Sequence, residues 1–220
     1  MLTIELINNN IPRLQLQDTV SKALQLMNDF RVTHLPVVAE DKYLGLVSEE
    51  DLLDAEIKKM PIELMQEAFI DAAVYENEHF LNAVKCSNLI DTTVVPVINE
   101  EKELQGVITT NELLKALGNF AGANEIGGII VLEMERSQFA ISEISRLVES
   151  NDATILHLNT TVHAETGMLT VTIHINKKEI SAIVSTFERY GFDVIYYLGI
   201  ENFENEIHSN YRHLMNYLDI

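Results

Sequence analysis

At 220 residues the chain is long enough for one or two domains with a sizeable core, and its 47% apolar and 22% charged content excludes a disordered protein. With 15 basic against 34 acidic residues the net charge is −19, which would repel a nucleic-acid backbone, and no basic stripe offsets it. The single cysteine, Cys86, excludes an intramolecular disulfide, and no apolar run reaches the roughly 18 residues that span a bilayer.

In chain order, the opening MLTIELINNN lacks a basic stretch followed by an apolar run, so the expectation is a cytoplasmic protein with neither membrane nor nucleic acid as partner. A helical pattern starts at Asp18 and carries Val20, Ala23, Leu24, Met27 and Phe30 at spacings of mostly three and four. Strands are predicted over 34–38 and 44–47 around an acidic turn, and Ser48 is placed to cap a closing helix. Residues 55–72 read as a mostly helical bridge with Pro61 in its first helical position. The order then repeats: a helix from Glu78 with Phe80, Leu81, Val84 and Leu89, strands over 94–98 and 105–108, and Thr109 as a cap. RVTHLPVVAEDKYLGLVSEEDLL (31–53) and DTTVVPVINEEKELQGVITTNELL (91–114) match with a period of about 60 residues, Pro36 against Pro96. Duplicated units bury their apolar faces against each other and leave a cleft between them.

The stretch GNFAGANEIGG (118–128) has four glycines and reads as a linker, centred on 121–127. Beyond it the predicted order is strand 129–134, helix 137–149, strands 154–162 and 168–175, helix 178–190 and strand 193–198. This βαββαβ order is the ferredoxin-like layout, with helices on one face of an antiparallel sheet. A turn at 163–167 would pair Leu156–Ile175, Leu158–Ile173, Thr160–Val171 and Val162–Leu169 toward the helices. His157–His174, Asn159–Thr172 and Thr161–Thr170 would then share the open face. Two histidines are too few for a closed metal site, and no metal is expected. From Asn202, Phe203, Ile207, Tyr211, Leu214 and Leu218 describe an amphipathic helix that needs a docking surface.

The strand motifs THLPVV and TVVPVI, followed by GLVSEED and GVITTNE, resemble two CBS domains paired as a Bateman module, over residues 1–58 and 59–120. Residues 128–199 resemble an ACT domain in element order, and residues 200–220 would add the C-terminal helix. The fold class expected is therefore α+β, a pseudo-twofold CBS pair followed by a ferredoxin-like domain, similar in order to the acetoin-utilisation-type CBS–ACT regulatory proteins. That resemblance implies a non-catalytic sensor of an adenosine-containing ligand (AMP, ADP, ATP or S-adenosylmethionine) and no required cofactor. A carboxylate one helical turn after a strand can accept both ribose hydroxyls, and a hydroxyl at a helix start suits ribose or phosphate oxygens. Ser48 and Asp51 match the family's ribose-binding pair in the first copy, and Thr109 and Glu112 match it in the second, with Glu in place of Asp. His34, Pro36, Val94 and Pro96 would line the adenine slots. Arg13, Arg31 and Lys42 are the only cations expected near the clefts, which favours adenosine, AMP or S-adenosylmethionine over ATP.

Effector-binding ACT domains commonly carry Pro-Gly after the first strand; here the turn is Glu135-Arg136-Ser137-Gln138-Phe139, which shifts weight to a dimerisation role. The partners expected are a second copy, forming a homodimer, and an unnamed target protein. His34 reads as a packed histidine and Cys86 as an inert buried thiol. No G-x-S-x-G, Walker loop or H-E-x-x-H occurs, so no enzymatic activity is expected. Two other readings remain open at this point: an interaction module with no small-molecule ligand, and an amino-acid sensor acting through the ACT-like domain.

Overall fold

In the computed structural model, which describes residues 1–199, the chain divides after Gly118 into two compact units. The amphipathic pattern over 202–218 lies outside the described residues.

The first unit repeats one local construction. Helix α1 (Val20–Phe30) opens where the Thr19 hydroxyl accepts from the Lys22 amide, and it closes at Arg31, whose φ of 55° is left-handed. An antiparallel pair comes next, β2 (His34–Ala39) with β3 (Lys42–Ser48), and then the short helix α2 (Glu49–Asp54). A two-residue strand β1 (Leu14–Gln15), too short to leave a periodic signal, pairs in parallel with β2. In the second copy β4 (Val74–Tyr75), α3 (Phe80–Ile90), β5 (Val94–Ile98), β6 (Leu104–Thr109) and α4 (Thr110–Phe120) take the same places, and Asp91 repeats the left-handed turn at φ 54°.

Each first helix buries a stripe of three, Val20, Ala23 and Met27 in α1 and Phe80, Ala83 and Ser87 in α3. Leu89, counted among the apolar repeats of the sequence, stands 75% exposed because it falls off that stripe. Ser87 can replace Met27 because its hydroxyl donates to the Thr92 carbonyl at 2.8 Å. The bridge between copies also differs from expectation. It holds a 3-10 segment, Ile62–Ala68, broken at Met65, and Pro61 precedes it as the cap instead of occupying its first turn.

The segment that leads into each copy is paired with the other one. Ile70, just ahead of β4, exchanges two backbone bonds with Leu46 of β3. Asn8, just ahead of β1, donates its amide to Val107 of β6. The glycines of the two GLVS and GVIT motifs sit beneath these crossings, at φ 152° for Gly45 and 155° for Gly106. A Cβ on Gly45 would lie 2.9 Å from Phe69 Cβ, and one on Gly106 2.3 Å from Ile7 Cγ2. Glycine is required here by close approach as well as by dihedral.

Helix α4 continues through Gly118 to Phe120, so the predicted linker starts later than its first glycine. Gly127 and Gly128 serve packing: a Cβ on Gly127 would lie 1.8 Å from the Ile175 carbonyl oxygen. The second unit is a four-stranded antiparallel sheet formed by β7 (Gly128–Met134), β8 (Ile155–Val162), β9 (Leu169–Ile175) and β10 (Asp193–Leu198), in the order β10-β7-β9-β8. Helices α5 (Ile141–Glu149) and α6 (Ser181–Arg189) bury Ile144, Leu147, Ile183 and Phe187 against Ile130, Leu132, Val171 and Ile173. This is the ferredoxin-like topology. Helix α5 starts later than predicted because Arg136–Gln138 forms a separate 3-10 turn, held by the Gln138 side chain against the Glu135 amide.

The predicted hairpin register holds from Leu158–Ile173 through Val162–Leu169, and His157–His174 share the other face. The Leu156–Ile175 pair does not form: the register shifts there, Ile155 pairs with Ile175, and Leu156 is left exposed. Among the described residues no helix is long and apolar enough to cross a membrane.

Gly106→Ala is expected to cost about 1–3 kcal/mol of stability, read as a lower urea midpoint. Ile7→Ala in that background is expected to recover part of the loss, since Ile7 is the group displaced. An unchanged midpoint for Gly106→Ala would show that the crossing segment does not press on β6.

Candidate functional site

Ser48 ends β3 at the point where α2 begins, and its hydroxyl accepts from the Asp51 amide at 3.0 Å. The same hydroxyl donates to Asp51 Oδ2 at 2.5 Å, which fixes the carboxylate one turn into the helix. Asp51 Oδ1 has no protein partner among the described residues. Both side chains line a cleft of about 450 Å³, together with His34, Ile70 and, from the second copy, Ile90 and Asp91. His34 is 8% exposed, and its Nδ1 lies 2.9 Å from the Thr33 hydroxyl. Burial lowers its pKa, against the raising pull of the Asp51 and Asp91 carboxylates. Thr33 in turn meets Thr93, amide to hydroxyl at 2.9 Å and hydroxyl to hydroxyl at 3.1 Å, so the cleft's edge is tied to the equivalent residue of the other copy.

The second copy repeats the cap and not the opening. The Thr109 hydroxyl and amide both donate to Glu112 Oε2, while the Asn8 amide nitrogen donates to Oε1 at 3.1 Å. Both carboxylate oxygens are thus engaged by the protein. Burial acts to raise the Glu112 pKa, but the bonds from Thr109 and Asn8, with Lys115 nearby, outweigh it and hold the carboxyl below its ordinary value. The extra methylene of Glu carries the carboxylate out to Asn8. Sequence reasoning missed this partner, which lies in a run of asparagines in the lead-in of the first copy, ahead of the matched strand motifs.

Of the two residues expected to line the first adenine slot, His34 joins Ser48 and Asp51 and Pro36 does not; in the second copy Val94 pairs with Thr109. Val94 is fully buried in the core, Pro96 is buried in β5, and Pro36 faces a separate groove of about 280 Å³ with Pro12, Arg13 and Gly106. The expected cations are elsewhere as well. Arg13 pairs with Asp41 at 3.1 Å, and Lys42 spans to Glu103 at 3.1 Å and to the Glu101 carbonyl. Arg31 occupies the left-handed turn after α1, the counterpart of Asp91 after α3. Cys86 is half-buried against both cores of the pair, and burial raises its thiol pKa, with Glu78 adding to the effect.

Residues 4–58 and 63–119 each match the family model of the CBS domain. The chain belongs to the CBS-domain family. CBS pairs are regulatory modules, and the two copies here form such a pair within one compact unit. The chain is 28% identical over 119 residues to a homoserine O-acetyltransferase of Methanobrevibacter ruminantium, covering 53% of this chain and 24% of that protein. It is also 28% identical over 101 residues to an inosine-5'-monophosphate dehydrogenase of Methanocaldococcus jannaschii, covering 44% of this chain and 20% of the relative. The chain therefore spans a quarter or less of these relatives. Similar solved structures include a CBS domain pair/ACT domain protein from Thermotoga maritima (22% identity, TM-score 0.49, 55% of this chain and 98% of that one). Another is CBSX2 in complex with AMP (19% identity, TM-score 0.46, 54% and 97%).

The lowered Glu112 pKa carries a pH signature. A carboxyl held low in the folded state stabilises the fold above its unfolded-state pKa, and that contribution is lost as pH falls through the folded-state value. Glu112→Gln is expected to flatten the fall in urea midpoint between about pH 5 and about pH 3. The change should stay below about 1 kcal/mol, because the group stands partly in solvent. An identical pH profile for the variant would show that the Thr109–Glu112–Asn8 contacts do not favour the ionised form.

Proposed function

We propose that this protein is a non-catalytic sensor that binds an adenosine-containing ligand in the first CBS cleft. The observation that carries this reading is the Asp51 carboxylate: one oxygen is fixed by Ser48, and the other is open to a cleft walled by His34 and Ile70. Such a group can accept both hydroxyls of a ribose, with the half-polar, half-apolar wall suited to a purine. The engaged Glu112 makes the second cleft the weaker candidate, so a single site per chain is favoured.

Sensing requires that the ligand bind one arrangement of the copies better than another. A ligand in the first cleft would touch both copies, because Ile90 and Asp91 of the second line it with Ser48 and Asp51 of the first. The ferredoxin-like unit is read as ACT-like and as the site of homodimer formation. Its edge strand β10 leaves Ile195, Tyr196, Tyr197 and Leu198 about half exposed, which suits pairing with a second copy.

Thermal unfolding of the full chain with adenosine, AMP, ADP, ATP and S-adenosylmethionine tests the reading. A ligand at 100 times its Kd adds about 2.7 kcal/mol, enough for several degrees. At least one compound is expected to raise Tm, and Asp51→Ala is expected to remove that shift while the free protein still unfolds cooperatively. No shift with any adenosine compound would leave an interaction module without a ligand.

A further inference from the structure

Four acidic side chains line the first cleft, Glu49, Glu50 and Asp51 from α2 and Asp91 from the turn after α3, and no Lys or Arg is among its lining residues. The acids come from both copies, so they flank the opening from two sides. Asp51 and Asp91 are both close enough to act electrostatically on His34 in the cleft wall. Three cations of this unit are engaged elsewhere, and Arg31 is not among the residues that line the cleft. Arg13 is paired with Asp41, Lys42 with Glu103, and the Lys58 ammonium donates to the Leu52 and Leu53 carbonyls at the far end of α2. Nor does α2 offer the usual remedy for an anion. It is six residues long, and acidic residues fill its first turn. The Ser48 hydroxyl proton, which a phosphate oxygen would want, is already given to Asp51.

We propose that the first cleft takes an adenosyl ligand without a phosphate, bearing in its place a neutral or positively charged group such as a sulfonium or an amine. The inference rests on the adenosine reading of this cleft and adds the charge of the ligand. Asp51 holds the ribose, and Glu49, Glu50 and Asp91 then select the group carried on its 5' carbon. A phosphate dianion brought among carboxylates is disfavoured, because at short range each like-charge pair costs energy even in a well-solvated opening. A cation is drawn in by the same groups. Polarity of charge, not size, is the selector: the cleft volume of about 450 Å³ accommodates a ligand of either kind.

Isothermal titration calorimetry of the full chain with adenosine, S-adenosylmethionine and AMP, at low and at high salt, decides it. Adenosine and S-adenosylmethionine are expected to bind about tenfold or more tightly than AMP at low salt. The gap should shrink at high salt, where exposed charges are screened. The double variant Glu50→Gln, Asp91→Asn should shrink it at constant salt; asparagine tolerates the left-handed backbone that Asp91 adopts, so the turn is kept. AMP binding as tightly as adenosine, with Asp51→Ala abolishing both, would overturn the charge selection and leave the adenosine site standing. A preference against AMP that neither salt nor the double variant changes would also overturn it, in favour of shape. Binding of none of the three would overturn the charge selection, and binding of neither ADP nor ATP as well would remove the adenosine reading with it.

Discussion

The first unit depends on a reciprocal loan of backbone. Each copy's outer strand, β3 or β6, has a bonding edge that its own residues do not cover. The residues that cover it belong to the lead-in of the other copy, Ile70 on Leu46 and Asn8 on Val107. An exposed edge of this sort is a liability for aggregation, and here the exchange closes it. The exchange also accounts for the glycine in each motif, since nothing larger fits under the crossing chain at Gly45 or Gly106. The side-by-side packing of the copies, the glycines and the floor of each cleft all stem from that one arrangement.

The two clefts are built alike and behave differently because of the residues that cross them. In the first copy the crossing residue at the cleft is Ile70, which has no polar group to offer and leaves Asp51 facing outward. In the second it is Asn8, whose amide occupies the carboxylate of Glu112. The duplicated sequence thus supplies two equivalent frames, and the lead-in segment that each copy lends to the other decides which frame is open. Cross-copy side-chain contacts at Thr33–Thr93 and at Lys42–Glu103 are polar and modest, and they rim a core in which Val94 and Val107 of the second copy pack with the first.

The features legible in the sequence are local ones. Ser48 and Asp51 lie within one helical turn, and the Pro36 and Pro96 strands sit inside their own hairpins, so short-range rules place them. The alternation of polar and apolar residues sets most of the β8–β9 register, including His157–His174. Errors arise where a distant partner or a one-residue insertion intervenes. Leu156 is displaced by a bulge that no pattern announces, and Leu89 reads as core because periodicity cannot tell a buried stripe from its neighbour. Val94 stands opposite Thr109 as His34 stands opposite Ser48, but its full burial, which depends on packing with the opposite copy, is not legible in the motif. The Asn8–Glu112 contact joins residues 104 apart and leaves no local trace.

The loaned segments also set an order of events during synthesis. Asn8 is made almost a whole unit before its partner Val107 on β6. Residues 1–4 can bond to Glu76, Glu78 and Phe80 once these are made, but Asn8 has no backbone partner until β6 follows, and the edge of β6 stays open until Asn8 returns. High sequence separation of this kind slows closure and makes it late and all-or-none. The edge of β3 in the first copy, whose cover arrives with residue 70, can be closed well before that of β6 in the second. The cleft that keeps its carboxylate open thus has its floor in place early, and the one that is internally satisfied closes last.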